Sequence, residues 1–393
     1  CRIISTAAPE VVSFVADDQL KPGKVEWANY VKGVVAAYMA DVPTGYLLSF
    51  DAAIASDVPL GGGLSSSAAL EVSVATLLQE ITGVAVSGVD KALRQDESHG
   101  LSYGGQRCQW SDHNFLNVPC GIMDQFVSAL AREGSTLLVD CRSHDYETVP
   151  LDDDGVVFVV ANSGVQHKNS SGAYAERVQQ CKDAVDAIKK RHPSVEQLRD
   201  ASLAWVHEIE GEVDEKARTK RRSSFCGVFK RARHVVSEDR RTLCCAMALR
   251  RKDYTMVGGC MCDSHTSLKE DYEVSISELD ELVSIAMSVD GVYGSRMTGG
   301  GFGGCTVTLV KREAAGTLMT TLREEYLAKT GNTCDCFVTK PCDGAGVIVP
   351  LRRSRQAFRA AVGAAAALVL AALVTTVATM RRGGGVRAHG HCH

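Results

Sequence analysis

The residues from 59 to 69 combine glycines and serines in the order Pro-Leu-Gly-Gly-Gly-Leu-Ser-Ser-Ser-Ala-Ala. Glycines let backbone N–H groups come close to a phosphate, and the N-terminus of a following helix adds free donors and partial positive charge. The hydroxyls of Ser65, Ser66 and Ser67 are suited to a phosphate oxygen or to Mg²⁺. An ordinary glycine loop with a serine N-cap would explain only one of these serines. Since no Lys-Ser or Lys-Thr pair follows the glycines, a Walker A loop is excluded.

A second glycine-rich stretch, residues 296–305, leads into an apolar run at residues 306–310. Gly299, Gly301 and Gly304 match the dinucleotide-binding pattern formally, but that site needs a strand before the glycines and a helix after them. Because a strand is predicted after these glycines, a Rossmann site is excluded. We expect this loop to pack beside the first glycine loop.

One acidic residue stands in a third segment of interest, residues 120–126. Asp124 is surrounded there by largely apolar residues, which makes its carboxylate a candidate general base or metal ligand. A lone aspartate is more often a helix cap or an ion-pair partner, so residue type alone leaves its role open.

Hydrophobic periodicity predicts the elements that hold these residues. Helices are predicted at residues 27–39, 66–81, 174–190, 231–249, 276–287 and 315–329. Strands are predicted at residues 11–15, 47–55, 156–161, 306–310 and 336–339. Strands and helices that mix without a regular βαβ alternation indicate an α+β architecture of two lobes.

The composition narrows the class of protein. The chain has 393 residues, 45% of them hydrophobic, and a net charge of −4. So small a charge argues against nucleic acid or an anionic membrane surface as a partner. The 15 cysteines lack the paired C-x₂-C spacing of a zinc ribbon, and no signal peptide opens the chain. Free thiols in a reducing, cytoplasmic compartment are therefore expected.

Residues 360–380 form an uncharged segment between Arg359 and Arg381. Its length can cross a bilayer core, but it consists mostly of alanine and valine, which insert weakly. A C-terminal membrane anchor and a non-native extension both stay open, and an anchor would leave the preceding lobes in the cytosol. Residues 95–107 and 219–229 are interpreted as inserted surface loops or as errors in the gene sequence, and a loop that docks a partner protein stays open as the alternative.

Taken together, the three motifs resemble the GHMP family of small-molecule kinases and, within it, the galactokinases. The resemblance rests on residues 59–69, 120–126 and 294–310, and it extends over about residues 11–341. Four connecting segments also resemble galactokinases, namely residues 27–33, 140–143, 231–235 and 271–275.

The resemblance implies a two-lobed α+β GHMP kinase fold. A lobe like domain 2 of ribosomal protein S5 would occupy residues 1–155, and a ferredoxin-like lobe residues 156–345, with a tail over residues 346–393. It implies that MgATP phosphorylates the 1-hydroxyl of α-D-galactose to give galactose 1-phosphate. The partners would be this sugar and ATP, without nucleic acid, and with a membrane only if the tail is an anchor.

The resemblance also implies a role for each site residue. Asp124 would take the proton of the sugar hydroxyl, and Gly121 and Tyr174 would contact the sugar. Mg²⁺ would be held by Ser67 and Asp112. The ATP phosphates would be bound by Gly61, Gly62, Gly63, Leu64, Ser65, Ser66 and Ser67.

The chain departs from the family in two respects. The first strand and the sugar-binding segment, with the arginine that pairs with the catalytic aspartate, have no counterpart before residue 11, so we expect this chain by itself to be inactive. Position 112 is Asp where galactokinases have Glu; it could hold Mg²⁺ or be a surface residue.

An N-acetylgalactosamine kinase and a catalytically silent regulator that binds galactose and ATP stay open as alternatives.

Overall fold

The computed structural model describes residues 1–39, 47–82, 105–118, 120–166, 170–210 and 227–348. One unit comprises Cys1–Ala345, and a second begins at Gly346. The segment 360–380 and most of the two predicted insertions lie outside the described residues. Among the helices that are described, none is long and apolar enough to span a membrane. The cysteines of the described residues are free thiols, as expected.

The first half of the unit alternates short strands and helices. Its elements are β1 (Arg2–Ser5), β2 (Ala8–Ser13), α1 (Glu26–Met39), β3 (Asp51–Ile54), α2 (Ser66–Thr82), α3 (Gly105–Trp110), a π turn (Ser111–Phe115), α4 (Met123–Leu130), β4 (Ser135–Val139) and β5 (Tyr146–Pro150).

The second half contains the longer helices. Its elements are β6 (Val156–Gln166), α5 (Ser170–Lys189), a 3₁₀ turn (Leu198–Asp200), α6 (Leu203–Glu208), α7 (Val228–Arg250), α8 (Tyr254–Glu270), α9 (Ser277–Met287), β7 (Val292–Met297), β8 (Gly303–Lys311), a 3₁₀ turn (Arg312–Ala314), α10 (Ala315–Thr330) and β9 (Asp335–Thr339).

The N-terminal lobe packs two helices against a small sheet. Strand β1 lies between β2, which is antiparallel to it, and β3, which is parallel to it. Val34 and Val35 of α1 and Leu78 of α2 are fully buried in the same cluster. The hydroxyl of Tyr38 donates a hydrogen bond of 3.0 Å to the carbonyl of Ala75, which ties the two helices together. This core fixes the position of α2, which begins at the first glycine loop.

The C-terminal lobe is a four-stranded antiparallel sheet in the order β7-β8-β6-β9. Neighbouring side chains of β8 pack in different hydrophobic clusters, because side chains point alternately to the two faces of a strand. Val310 packs with α9 and α10, whereas Leu309 packs with α8. Helices therefore cover both faces of the sheet. The loop between β7 and β8 lies where these two strands end and begin.

Helix α8 approaches the sheet more closely than side chains would allow. A Cβ on Gly258 would lie 1.9 Å from the carbonyl oxygen of Tyr293, and one on Gly294 would lie 2.2 Å from the carbonyl oxygen of Gly258. Two glycines thus bring the backbones of α8 and β7 into direct contact.

After β9 the chain returns to the N-terminal lobe. Residues 341–345, called here the C-terminal strap, lie against the end of α4. The amides of Gly344 and Ala345 donate to the carbonyls of Ala131 and Ser128 at 2.8 and 2.7 Å. The amide of Glu133 donates to Asp343 Oδ1 at 2.9 Å. The strap therefore satisfies carbonyls that the end of a helix leaves without intrahelical partners.

All the predicted helices and strands are present, and the α+β two-lobed fold is confirmed. The predicted ends are less accurate: the strand at 11–15 runs instead over Ala8–Ser13, and that at 47–55 is limited to Asp51–Ile54. The sequence did not predict helices α3, α4, α6 and α8 or strands β1, β4, β5 and β7.

Candidate active site

The two glycine-rich loops lie against each other, as the sequence predicted. The hydroxyl of Thr298, which opens the loop between β7 and β8, donates to the carbonyl of Gly63 at 3.5 Å. A Cβ on Gly299 would lie 2.9 Å from Gly63 Cα, and one on Gly304 would lie 2.7 Å from the carbonyl oxygen of Gly62. Gly304 also has φ +89°, which only glycine adopts easily. The contact requires glycine on both sides, and β8 follows the second loop where a Rossmann site would need a helix.

The first loop ends at the N-terminus of α2. Ser65 has φ +60°, an unusual value for a residue with a side chain. Its carbonyl accepts the first helical hydrogen bond, from the amide of Ala69 at 2.9 Å. The amides of the following residues, Ser66 and Ser67 among them, belong to the first turn, where N–H groups have no intrahelical acceptor. The loop therefore directs free donors and the positive end of a helix dipole to one place, which suits an anion.

Asp124 lies in the first turn of α4 and is half-buried. Its carboxylate makes no hydrogen bond or ion pair with the rest of the described chain. Gly121, just before the helix, is exposed, and a Cβ on it would have no atom within 4 Å. Asp124 is thus an unshared carboxylate, three residues after a glycine that has open space around it. Tyr174 belongs to α5, and its side chain lies outside the described residues.

Asp112 lies in the π turn that follows α3 and is only 4% exposed, so the surface interpretation is wrong. Its Oδ2 accepts hydrogen bonds from Cys120 Sγ at 3.2 Å and from Gln125 Nε2 at 3.0 Å. Burial raises the pKa of Asp112, the hydrogen bond from Cys120 lowers it, and the nearby charge of Asp124 raises it again. The two aspartates therefore lie close enough to interact electrostatically.

A second buried acid, Glu71 of α2, was not predicted as part of the site. It is fully buried, and its pKa is raised to about 9 by burial and by the charge of Asp112. Ser111 and Gln125 lie against it and offset part of that rise. Neither carboxyl oxygen has a hydrogen bond of ordinary geometry, and Ser111 Oγ and Gln125 Oε1 also lack one within the described chain. A glutamate between apolar positions of a helix was the available signal in the sequence.

The donor set of this region suits a hard cation. Ser67 lies four residues before Glu71, so both side chains are on one face of α2, and Glu71 faces Asp112. Oxygen ligands with net negative charge are those that Mg²⁺ prefers, and a buried acidic pair without a cation nearby is electrostatically unfavourable. Ser67 and Asp112, which the resemblance assigns to Mg²⁺, have side-chain oxygens of the kind that this cation prefers.

Known protein families and sequences match most of the chain. The family of GHMP kinases N terminal domains matches residues 29–132, and that of GHMP kinases C terminal domains matches residues 246–327. A galactokinase of Homo sapiens is 44% identical over 333 residues, which are 85% of this chain and 76% of that protein. A galactokinase of Roseiflexus sp. (strain RS-1) is 39% identical over 340 residues, 86% of this chain and 80% of the relative.

Solved structures agree with these sequence relatives. A Lactococcus lactis galactokinase in complex with galactose superposes with a TM-score of 0.73 and 26% identity, covering 88% of this chain and 84% of that one. A mevalonate kinase superposes with a TM-score of 0.53 and 14% identity, covering 87% and 86%, which shows the shared fold alone. The chain belongs to the galactokinase family of GHMP kinases.

Proposed function

We propose that this chain forms the body of an enzyme that transfers the γ-phosphoryl group of ATP to the 1-hydroxyl of α-D-galactose. The proposal rests chiefly on the paired glycine loops at the N-terminus of α2, because they present backbone donors to a polyphosphate. Phosphoryl transfer requires that the substrates are positioned, that negative charge on the phosphates is neutralised and that a proton acceptor is present. The nearby acids contribute to these requirements.

The nucleotide phosphates bind along residues Gly61–Ser67. Backbone amides of Gly61, Gly62, Gly63 and Leu64, together with Ser65, Ser66 and Ser67, hold the phosphate oxygens. Ser67 and Asp112 hold Mg²⁺, which neutralises charge on the phosphates when it is bound. Cys120 and Gln125 keep the Asp112 carboxylate in one orientation by donating to it.

Asp124 is the proton acceptor in this proposal. It is unshared by the described residues, and the open space around Gly121 favours a sugar bound near this segment. Tyr174 is the other sugar-contacting residue that we propose. The sugar 1-oxygen forms a bond to the γ-phosphorus, the bond from that phosphorus to the β–γ bridging oxygen breaks, and ADP leaves. The hydroxyl proton goes to Asp124.

A coupled assay of ADP formation tests the function directly. The chain is assayed as it stands and with the N-terminal segment of the human relative placed before Cys1. We expect turnover of galactose only in the extended protein. Asp124→Asn should reduce it by roughly 10²–10⁴-fold, the usual contribution of general acid–base catalysis. Asp145→Asn, at an exposed aspartate, is the control and should retain activity.

The same assay separates the alternative functions. A higher kcat/KM for N-acetylgalactosamine than for galactose would contradict the choice of sugar. Binding of ATP and galactose without turnover in the extended protein would establish a silent regulator instead.

We further propose a cytoplasmic location for the catalytic body. Residues 352–393, fused to a soluble reporter, test whether the tail attaches to membranes. A reporter recovered wholly in the soluble fraction would exclude an anchor.

A further inference from the structure

A cavity of about 210 Å³ lies in the described chain where the hairpin β4–β5 meets α7, α8 and β7. None of the residues assigned above to ATP, sugar or Mg²⁺ lines it. The volume is below the roughly 300–1,000 Å³ that drug-sized ligands occupy. The cavity therefore suits a smaller molecule than either substrate of the proposed reaction.

The charged side chains that line the cavity have a net positive charge. Arg241 and Arg296 both line it, and both pair with Glu238, so these three side chains carry a net charge of +1. The other titratable groups that line the cavity are two thiols, and burial raises the pKa of one of them, Cys245, to about 11. Burial also raises the pKa of Cys260.

The arginines have hydrogen-bonding capacity left for a ligand. Arg296 Nε donates to the carbonyl of Met297 at 3.0 Å, and its Nη1 reaches Glu238 at 3.4 Å, which is long for a charged pair. A guanidinium carries five N–H donors in a planar fork that matches a carboxylate. Burial lowers the pKa of Arg296, so an anionic partner would stabilise its charge.

The cavity also has an apolar part of its lining. It comprises Leu137 and Leu138 of β4, Val149 of β5 and Leu249 of α7. A ligand that fills the whole cavity must therefore join a hydrocarbon body to an anionic group. A net charge of +1 matches a monoanion better than a phosphate dianion, so the expected head group is a carboxylate.

The cavity borders two elements of the candidate active site. Arg296 stands two residues before Thr298, which contacts the first glycine loop. Leu137 packs on Ile122, Phe126 and Leu130, the apolar side of the segment that carries Asp124. A molecule bound between Leu137 and Arg296 would therefore contact a residue next to the second glycine loop and a residue packed on the segment that carries Asp124.

We propose that this cavity is a regulatory site for small aliphatic monocarboxylates, held by Arg241 and Arg296 through the carboxylate and by the leucines through the hydrocarbon chain. Its occupation changes the affinity of the glycine loops for ATP.

Isothermal titration with hexanoate tests the binding. Hexanamide has the same shape without the charge, and hexylammonium inverts the charge. We expect hexanoate to bind at least tenfold more tightly than hexanamide, and hexylammonium not to bind. Equal binding of hexanoate and hexanamide, or no binding of hexanoate, would overturn the proposal.

Two pairs of variants locate the site. Arg241→Gln removes a lining charge, whereas Arg240→Gln removes an exposed charge that does not line the cavity. Thr242→Trp occludes the cavity from an exposed lining position, whereas Leu243→Trp adds the same bulk at an exposed neighbour outside it. The first member of each pair should lose at least tenfold in hexanoate affinity, and the second should keep it. Loss in both members would contradict the assignment, and occlusion by Thr242→Trp leaves the proposal testable even if Arg241→Gln unfolds.

A fluorescent ATP analogue measures the coupling to the glycine loops. Saturating hexanoate should shift the Kd of the analogue by at least threefold, and the saturating analogue should shift the hexanoate Kd by the same factor, because linkage is reciprocal. Unchanged constants would overturn the regulatory part of the proposal. This readout needs no turnover, so it is independent of whether the proposed galactokinase reaction occurs.

Discussion

Asp112 and Asp124 are the same residue type in neighbouring positions, yet their surroundings suit different tasks. Asp112 is buried and receives two hydrogen bonds, so its carboxylate has one fixed orientation. Asp124 is half-buried and has no donor among the described residues, which leaves it available to a hydroxyl group. A fixed carboxylate favours metal binding, and a free one favours proton transfer.

Removing one charge from each aspartate should separate these tasks. We expect Asp112→Asn to weaken MgATP binding by about tenfold or more, since the cation loses a charged oxygen ligand. Asp124→Asn should leave MgATP binding within about twofold of the unsubstituted protein. Calorimetric titration with MgATP, and with ATP in EDTA as the metal-free control, measures both. An equal loss in the two variants would contradict the division of roles.

Glu71 makes the stability of the metal-free protein depend on pH. Its pKa is about 9 in the folded chain and about 4.5 when unfolded, so the folded state retains a proton that the unfolded state loses between these values. The free energy of unfolding should therefore fall as pH rises from 5 to 8, by up to about 1.4 kcal/mol per unit from this group.

Glu71→Gln removes that proton and keeps the shape of the side chain. We expect its free energy of unfolding to fall less steeply with pH than that of the unsubstituted protein, so the variant gains relative stability at pH 8. Urea denaturation in EDTA at pH 5, 6.5 and 8 measures the difference. Parallel pH profiles would show that Glu71 ionises in the folded protein as it does in the unfolded one.

The sequence pointed to Asp124 and Asp112 because their segments resemble a family, but it did not point to Glu71. Helical periodicity identifies the apolar face of a helix. A single acid on that face does not change the pattern, so periodicity does not single it out. Only packing of α2 against the π turn shows that Glu71 faces Asp112. The pKa of a buried acid depends on the groups that surround it in space, and the spacing of residues in the sequence does not reveal those groups.

The contact between the two glycine loops can be tested with a matched pair of glycines. Gly304→Ala would place a methyl 2.7 Å from the carbonyl of Gly62, at a positive φ. Gly300→Ala lies four residues earlier, in the loop before β8, where a methyl would meet nothing within 4 Å. We expect Gly304→Ala to weaken ATP binding by at least tenfold and Gly300→Ala to leave it nearly unchanged, as measured with a fluorescent ATP analogue. Similar effects of both substitutions would argue against a defined contact.

Helix α8 offers a second matched pair, this time for stability. A methyl on Gly258 would collide with β7, whereas one on Gly259 would meet open space. Gly258→Ala should lower the free energy of unfolding by roughly 1–3 kcal/mol, as overpacking does. Gly259→Ala should raise it by up to about 1 kcal/mol, since alanine favours a helix. Chemical denaturation measures both, and a stabilised Gly258→Ala would contradict the close approach.

The same glycines explain why α8 was not predicted. Two adjacent glycines weaken a helical pattern, because glycine is an unfavourable residue inside a helix. Here the low helix propensity of the two glycines is compensated by the tertiary contact between α8 and β7. Helices such as α1 and α2, whose apolar faces are regular, were predicted to within one residue.

The C-terminal strap joins the two lobes through the backbone. Gly344 lies against Ala129, so Gly344→Val should displace the strap, whereas Gly316→Val in α10 has free space around it. We expect faster hydrogen exchange at the amides of Gly344, Ala345 and Glu133 in Gly344→Val, while the amides of β6 and β8 keep their protection. Mass-spectrometric exchange measures this, and uniform loss of protection would mean that the whole unit, rather than the strap, is affected.

The two lobes were predictable and the strap was not. Periodic apolar segments mark the elements of a lobe, and mixing strands with helices restricts the architecture. Five residues without a periodic pattern carry no such signal, and their partners lie more than 200 positions earlier in the chain.

The strap also bears on how the protein is made. A ribosome delivers residues 123–130 early and residues 341–345 only after the whole C-terminal sheet has been synthesised. Until then, the end of helix α4 lacks the backbone partners that the finished chain gives it. The helix that carries Asp124 therefore acquires all of its backbone partners only after synthesis of the C-terminal sheet is over.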